Sequence, residues 1–206
     1  MYKNLLKRIL DILLSAFGIL LFSPVLIVVI LILIVVNNGS PFFFQERPGK
    51  DGNPFRIVKF KTMRDIKSTK SDDLHNMARV TKVGGFLRKY SVDEIPQLFN
   101  VLNGDMSIIG PRPLLTQYVP LYNERQRKRL GVKPGVTGWA QVNGRNAISW
   151  GQKFELDVYY VENLSFALDV KILIKTVQKV LQREGINSGS EGEKEVIMPE
   201  WKGNNN

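Results

Sequence analysis

Apolar and polar positions fall into three regimes along this chain. Residues 12–36 form a run of 25 positions without a charged side chain. As a helix the run would be about 37 Å long, more than the roughly 30 Å of a bilayer's hydrocarbon core. A secretory signal has a shorter apolar core and a small-residue cleavage site; this run ends in Val35-Val36-Asn37-Asn38. Its length also argues against a buried soluble helix, so the pattern predicts a membrane helix. Ser23-Pro24 stands at the midpoint. Pro24 has no N–H for the carbonyl one turn back, and a serine hydroxyl can bond a freed carbonyl, so a sharp bend becomes tolerable in lipid. Lys3, Lys7 and Arg8 precede the run; Arg47, Lys50 and Arg56 follow it. Both flanks look cytoplasmic under the positive-inside rule. A kinked single span and a re-entrant helix broken at Ser23-Pro24 both remain open on the residues alone. Upstream, Leu5, Leu6, Ile9, Leu10, Leu13 and Leu14 recur at helical spacing, with basic residues placed for headgroups, as in an amphipathic interfacial entry.

The second regime, residues 37–184, is mixed and reads as one mainly α domain with a small β-hairpin, an α+β class. Asn37-Asn38-Gly39-Ser40-Pro41 breaks the apolar run. Phe42–Phe44 and Phe55–Phe60 are strand-like around the turn formers Pro48-Gly49-Lys50-Asp51-Gly52-Asn53, which predicts a hairpin with Arg56, Lys59 and Lys61 on a basic, wet face. Residues 65–76 read as a polar loop that includes His75. Ser91-Val92-Asp93-Glu94 has the form of a capping box opening a helix over 92–102, with Pro96 near its first turn. A helix is expected over 114–130, carrying Arg125-Gln126-Arg127-Lys128-Arg129. An ordered Gly-rich loop is expected over 133–146, then helices over 150–163 and 165–184, the last packed into the core. The third regime, 185–206, is polar and reads as a flexible tail with Trp201 as its anchor.

Composition narrows the chemistry. The 206 residues include no cysteine and one histidine. Disulfides, thiolate nucleophiles, Cys-ligated metals and multi-His centres are therefore excluded, and a Ser-His-Asp triad is a poor fit. The net charge is +10, which favours anionic partners. The mean hydropathy of −0.10 hides the apolar run. Beyond residue 36 there are 26 basic and 18 acidic residues.

Carboxylates and cations must then do any chemistry. Adjacent acids at a helix start commonly serve as capping decoration. Asp93 and Glu94 could also divide two tasks, one as nucleophile and one as ligand to a hard cation such as Mg²⁺, which prefers one or two carboxylates plus phosphate oxygens. Lys59, Arg112 and Arg145 lie in a strand end, a Gly-Pro-Arg-Pro turn and the Gly-rich loop, where they could clamp phosphate. The 125–129 run would suit nucleic acid or, beside a membrane helix, anionic lipid. A membrane-anchored basic binding module is the alternative to an enzyme.

Four stretches carry a resemblance: KFKTMR from Lys59, SVDEIPQLFNVL from Ser91, GDMSIIGPRP from Gly104 and PGVTGWAQVNGR from Pro134. Together, in this order, they resemble the bacterial sugar transferase family, the monotopic polyprenyl-phosphate phosphoglycosyl transferases. The similarity runs from about Lys3 to Glu184. It is to the minimal form, without the extra N-terminal spans of larger relatives. The branch most similar starts bacterial protein N-glycosylation from UDP-di-N-acetylbacillosamine. The resemblance implies that Asp93 attacks the β-phosphate of a UDP-sugar, releasing UMP and leaving an aspartyl phosphosugar that polyprenyl phosphate then displaces. It implies Mg²⁺ on Glu94, substrate contacts from Lys59, Arg112, Arg145, Pro111, Gln141 and Asp157, and no nucleic acid partner. It also implies a re-entrant helix broken at Ser23-Pro24 over residues 1–36, with amphipathic interfacial helices. The catalytic domain, 37–184, would then face the cytoplasm at the bacterial inner membrane.

Overall fold

The computed structural model describes residues 2–65, 79–144, 148–182 and 200–204. The apolar run forms one helix, α1 (Lys7–Val36), entered through a π-helical turn at Tyr2–Leu6. The helix is not interrupted at Ser23-Pro24. Ser23 Oγ donates to the Leu20 carbonyl at 2.8 Å, the acceptor that Pro24 cannot serve, so the local hydrogen-bond loss is repaired. One stripe of α1 is buried, at Asp11, Ser15, Leu26, Val29 and Leu33. Gly18 continues the stripe, where a Cβ would meet Leu98 Cδ1 at 3.0 Å. Most of the remaining surface is exposed and apolar, with Phe17 63%, Leu20 74% and Val35 78% accessible. An apolar surface of that extent needs a non-aqueous neighbour.

Both ends of α1 are tied to the same domain. Arg8 donates to the carbonyls of Val101 and Leu102 at 2.5 and 2.8 Å, at the C-terminal turn of α3 (Gln97–Asn103), where helix carbonyls lack partners. Asp11 Oδ1 accepts from Ser107 Oγ and the Ile108 N–H, each at 2.9 Å. Lys7 pairs with Asp169 at 2.7 Å, which also accepts from the hydroxyls of Tyr2 and Tyr160. At the other end Val29 and Leu33 pack with Phe60 and Leu87, and Asn37 Nδ2 donates to the Lys61 carbonyl.

The predicted hairpin forms as β1 (Phe42–Pro48) and β2 (Pro54–Phe60), antiparallel with Phe42 opposite Phe60. Its basic face is less wet than expected: Arg56 is exposed, but Lys59 and Lys61 are half-buried in ion pairs with Glu94 and Asp65. A helix absent from the periodicity, α2 (Lys82–Lys89), is capped by Thr81 Oγ1. The capping box at Ser91 does not form. Ser91 takes a left-handed conformation (φ 54°) without a side-chain cap. Val92–Glu94 is a 3₁₀ turn and α3 starts only at Gln97. Pro96 has no N–H for an α-helical bond to Val92, so the chain takes three-residue turns until it is passed.

A parallel pair not visible in the sequence pattern, β3 (Ser107–Ile109) and β4 (Gly135–Thr137), joins the middle of the chain. Gly135 permits it, since a Cβ there would sit 2.0 Å from the Gly110 nitrogen. The single helix expected over 114–130 is instead a 3₁₀ segment (Thr116–Leu121), α4 (Glu124–Arg127) and another 3₁₀ turn (Lys128–Gly131). Pro120 and the capping box of Asn123 with Gln126 divide it. The basic run at its end is largely occupied within the protein. Arg125 pairs with Glu155, Lys128 with Glu162 and Arg129 with Asp157, while Arg127 is exposed and donates to the Tyr122 carbonyl.

α5 (Trp139–Val142), α6 (Trp150–Glu162) and α7 (Phe166–Gln182) complete the domain. α7 is not the core helix expected. Only Asp169 and Ile172 are buried, while Phe166, Ile174, Val177 and Leu181 are exposed, Leu181 at 76%. Trp201 does anchor the C-terminal end, within an aromatic cluster of Tyr118, Tyr122, Trp150 and Phe154.

Candidate active site

Two stitches place Asp93 and Glu94 against β2. Asn100 of α3 accepts from the Val58 N–H at 3.0 Å and donates to the Arg56 carbonyl at 2.8 Å. Its amide thus completes the free edge of β2 and fixes α3 beside it. Three residues before α3, Glu94 meets two cations. Its Oε1 accepts from Lys59 Nζ and Arg112 Nη2, both at 2.7 Å.

Burial works to raise the Glu94 pKa, but Arg112 and Lys59 outweigh it and hold the carboxyl well below the usual carboxylate range. Asp93 behaves oppositely. Burial and the neighbouring Glu94 charge raise its pKa, against the pull of Lys59, Arg88 and Arg112. The two acids are therefore differentiated: Glu94 is neutralised by its partners, while Asp93 makes no side-chain hydrogen bond to any described residue. A carboxylate that is desolvated and unbonded is the better nucleophile of the two. Asp93 lines a cavity of about 510 Å³ together with Arg47, Lys59, Arg64, Arg79 and Arg88, a strongly cationic basin.

Arg112 joins Glu94 at the head of a second cavity, of about 240 Å³, where Gln141, Thr137 and Ser91 supply polar groups and Leu98 and Val180 apolar ones. Gln141 Nε2 donates to the Val136 carbonyl at 2.9 Å. Its Oε1 is buried without a partner among the described residues. Pro111 is buried, and its carbonyl accepts from the Gly135 N–H, so it fixes the turn that aims Arg112.

The structure therefore brings together Asp93, Glu94, Lys59, Arg112, Pro111 and Gln141. It does not bring Asp157 to them as a substrate contact. Asp157 is 2% exposed and pairs with the equally buried Arg129 at 2.8 Å. Arg129 Nη2 in turn donates to the Arg112 carbonyl at 2.7 Å, so Asp157 acts on the site only through the backbone behind Arg112. Arg145 and His75 lie outside the described residues. The 3₁₀ geometry also removes the helix-start setting expected for the two acids.

Sequence reasoning missed Arg47, Arg88, Gln97 and Asn100. Gln97 and Asn100 are polar positions inside an otherwise apolar stretch, which is the one mark that sets them apart. Nothing local distinguishes Arg47 or Arg88 from other surface cations.

No group of three or more potential metal-ligating side chains occurs among the described residues. A cation requiring only one or two carboxylates is a different case. The Glu94 contacts use Oε1, and Asp93 stands beside it, so this pair fits Mg²⁺ when phosphate oxygens supply the rest of its shell. Lys59 and Arg112 disfavour a bare ion there.

Residues 2–183 match the family model described as bacterial sugar transferase. The uncharacterized sugar transferase EpsL of Bacillus subtilis is 54% identical over 183 residues, covering 88% of this chain and 90% of that protein. The UDP-glucose:undecaprenyl-phosphate glucose-1-phosphate transferase of Escherichia coli is 41% identical over 191 residues, 86% of this chain and 40% of the relative. An Aeromonas hydrophila enzyme named for UDP-N-acetylgalactosamine and undecaprenyl phosphate is 38% identical over 188 residues, 85% of this chain and 44% of the relative. The chain thus spans nearly all of the first of these and about two-fifths of the other two.

Proposed function

Starting from the chain's membership of the bacterial sugar transferase family, we propose that it transfers a sugar 1-phosphate from a UDP-sugar to polyprenyl phosphate. The observation that carries this reading is the Asp93–Glu94 pair, with Glu94 held by Lys59 and Arg112 and Asp93 open to a cationic cavity. Asp93 attacks the β-phosphorus of the donor, and the P–O bond to UMP breaks with its electron pair on UMP. Polyprenyl phosphate then displaces Asp93 to give polyprenyl-diphosphate-sugar. Lys59 and Arg112 hold phosphate oxygens. Glu94 would hold Mg²⁺ together with donor phosphate oxygens, and the ion would supply charge neutralisation. Names of the relatives include UDP-glucose and UDP-N-acetylgalactosamine. The resemblance to the N-glycosylation branch favours UDP-di-N-acetylbacillosamine here.

The way α1 is held supports a re-entrant arrangement. Arg8 and Asp11 near one end, and Leu33 and Asn37 at the other, all contact one domain. A helix crossing the bilayer would place its ends on opposite faces, roughly 30 Å apart. We infer that α1 is re-entrant, which would keep both ends on the cytoplasmic face of the inner membrane and lay the exposed apolar face of α7 along the interface.

The test is a burst assay. Purified protein mixed with UDP-sugar and Mg²⁺, without lipid acceptor, should release one UMP per chain, and Asp93→Asn should release none. Full turnover by Asp93→Asn would end the nucleophile assignment. A panel of UDP-sugars read the same way identifies the donor.

A further inference from the structure

A third cavity, of about 210 Å³, adjoins the candidate site and is not needed to explain the acid pair. Arg47, Lys59, Gln97, Arg112, Leu114 and Trp150 are among its lining residues. Asp93 does not line it, but Arg47 and Lys59 border both this cavity and the basin onto which Asp93 opens. The two spaces therefore meet at Arg47 and Lys59, with the nucleophile on one side only.

Two features mark this cavity as built for a ligand. Gln97 is 2% exposed, and its Nε2 is buried with no partner among the described residues. A buried donor left unsatisfied costs about 1–3 kcal/mol, and no described residue recovers that cost. Arg47 has no carboxylate partner among the described residues; its guanidinium bonds only the Gln45 side-chain oxygen. Burial and the nearby Arg112 lower its pKa to about 10, so it remains a cation at neutral pH. Arg47, Lys59 and Arg112 all line this cavity, and since Glu94 pairs only with Lys59 and Arg112 among the described residues, the Arg47 charge is one that a phosphate would balance.

We propose that this cavity is the leaving-group subsite, which takes the nucleoside 5′-monophosphate half of the donor. The α-phosphate lies on Arg47, and the Gln97 amide donates to a ring carbonyl of the pyrimidine. Ile57, Leu114 and Leu115 wall the base. In-line displacement requires nucleophile and leaving group on opposite sides of phosphorus, and the two cavities supply those sides. As Asp93 forms its bond to the β-phosphorus, the bond to UMP breaks, and the departing electron pair stays on the UMP phosphate beside Arg47. This assignment rests on the proposed transferase reaction.

The experiment measures binding of UMP and of ribose 5-phosphate, which lacks the base, by isothermal titration to the full chain in detergent. Arg47→Ala should weaken both by about tenfold or more, the loss of a charge-assisted contact of about 1.5 kcal/mol. Gln97→Met should weaken UMP about five-fold and leave ribose 5-phosphate unchanged. Because Gln97→Met removes an orphan donor at similar volume, its unfolding midpoint should equal or exceed that of the wild type. A merely structural role would lower the midpoint instead. Wild-type UMP affinity in both variants would overturn the subsite, as would equal loss of both ligands in Gln97→Met. A wild-type chain that releases no UMP from any UDP-sugar would overturn the reaction itself, a separate outcome read in the burst assay.

Discussion

The Arg129–Asp157 pair allows a quantitative test of how Arg112 is positioned. Both side chains are 2% exposed and 2.8 Å apart. Arg129 spends its other donors on Tyr122 Oη at 3.1 Å and on the Arg112 carbonyl at 2.7 Å. Removing Asp157 alone, as in Asp157→Leu, leaves a buried guanidinium without its counter-charge. That class of change costs about 3–5 kcal/mol, a large part of the roughly 5–15 kcal/mol of a typical domain. Replacing both partners, as in Arg129→Met with Asp157→Leu, removes the desolvation cost as well. Burial raises the Asp157 pKa even against the pull of Arg129, which shows how much desolvation the pair carries. The double variant orphans the Tyr122 hydroxyl and the Arg112 carbonyl, each worth about 1 kcal/mol. It should therefore recover to within about 2 kcal/mol of the wild type.

Denaturant unfolding followed by tryptophan fluorescence reads this directly, because Trp150 and Trp201 pack on Phe154 beside the pair. UMP release by the double variant should fall about tenfold, equal to about 1.4 kcal/mol of lost positioning at Arg112, with little change in donor KM. Two results would refute the reasoning. One is additive losses, with the double variant less stable than either single. The other is a stable Asp157→Leu protein whose only defect is a raised donor KM, which would return Asp157 to the substrate.

Four further outcomes follow from the site and its supports. Asp93→Asn should lower UMP release about 10³-fold or more yet unfold at higher denaturant at neutral pH. The folded-state pKa of Asp93 is raised, so its protonated form stabilises the fold at low pH and that contribution is lost as pH rises through the folded value; the advantage of the variant should vanish below the ordinary Asp value of about 3.9. Single-turnover rates should fall on acidification at a pH above that same ordinary value, and a profile flat down to it would contradict an Asp93 nucleophile. Asp11→Ala should cost about 2–4 kcal/mol by orphaning Ser107 Oγ and the Ile108 N–H, and should speed proteolysis at the α1–β3 junction. Arg125→Ala should leave both the unfolding midpoint and vesicle binding unchanged, since its partner Glu155 is as exposed as Arg125 itself.

How much of this was legible depended on whether a feature was local. The hairpin was, because strand-like runs flank a dense cluster of turn formers between Pro48 and Asn53. The bounds of α6 were, because Ser149 and Gln152 form a capping box at its start. Ser91 shows the same signature without the geometry. Whether a serine caps depends on where the next proline falls, and Pro96 shifts the helix start past both acids. The parallel β3–β4 pair joins residues 28 positions apart in register, and three-residue strands carry too little periodicity to announce themselves. The acids and two of their cations were found by chemistry, whereas Gln97 and Arg47 acquire meaning only when a cavity is seen between α3 and β1.

The same distinction explains the charge. A basic run in sequence suggests a surface for anions, yet Arg125, Lys128 and Arg129 are neutralised by acids 28 to 34 residues away. Within the run Arg127 donates only to a carbonyl among the described residues, and the cations that reach the candidate site are scattered ones. Arg47 comes from β1 and Arg88 from the end of α2, and they converge on one basin only after the hairpin closes on α3. The N-terminal helix follows this logic too. Its single acid, Asp11, is no flaw in a membrane segment: it faces the domain, accepts two hydrogen bonds from β3 and couples the apolar helix to the strand that leads into Pro111 and Arg112. Membrane attachment and the aim of the proposed phosphate clamp would thus be parts of one framework. A lesion at Asp11 should therefore loosen the active site before it releases the protein from the bilayer, and UMP release measured on membrane-bound Asp11→Ala would show that order.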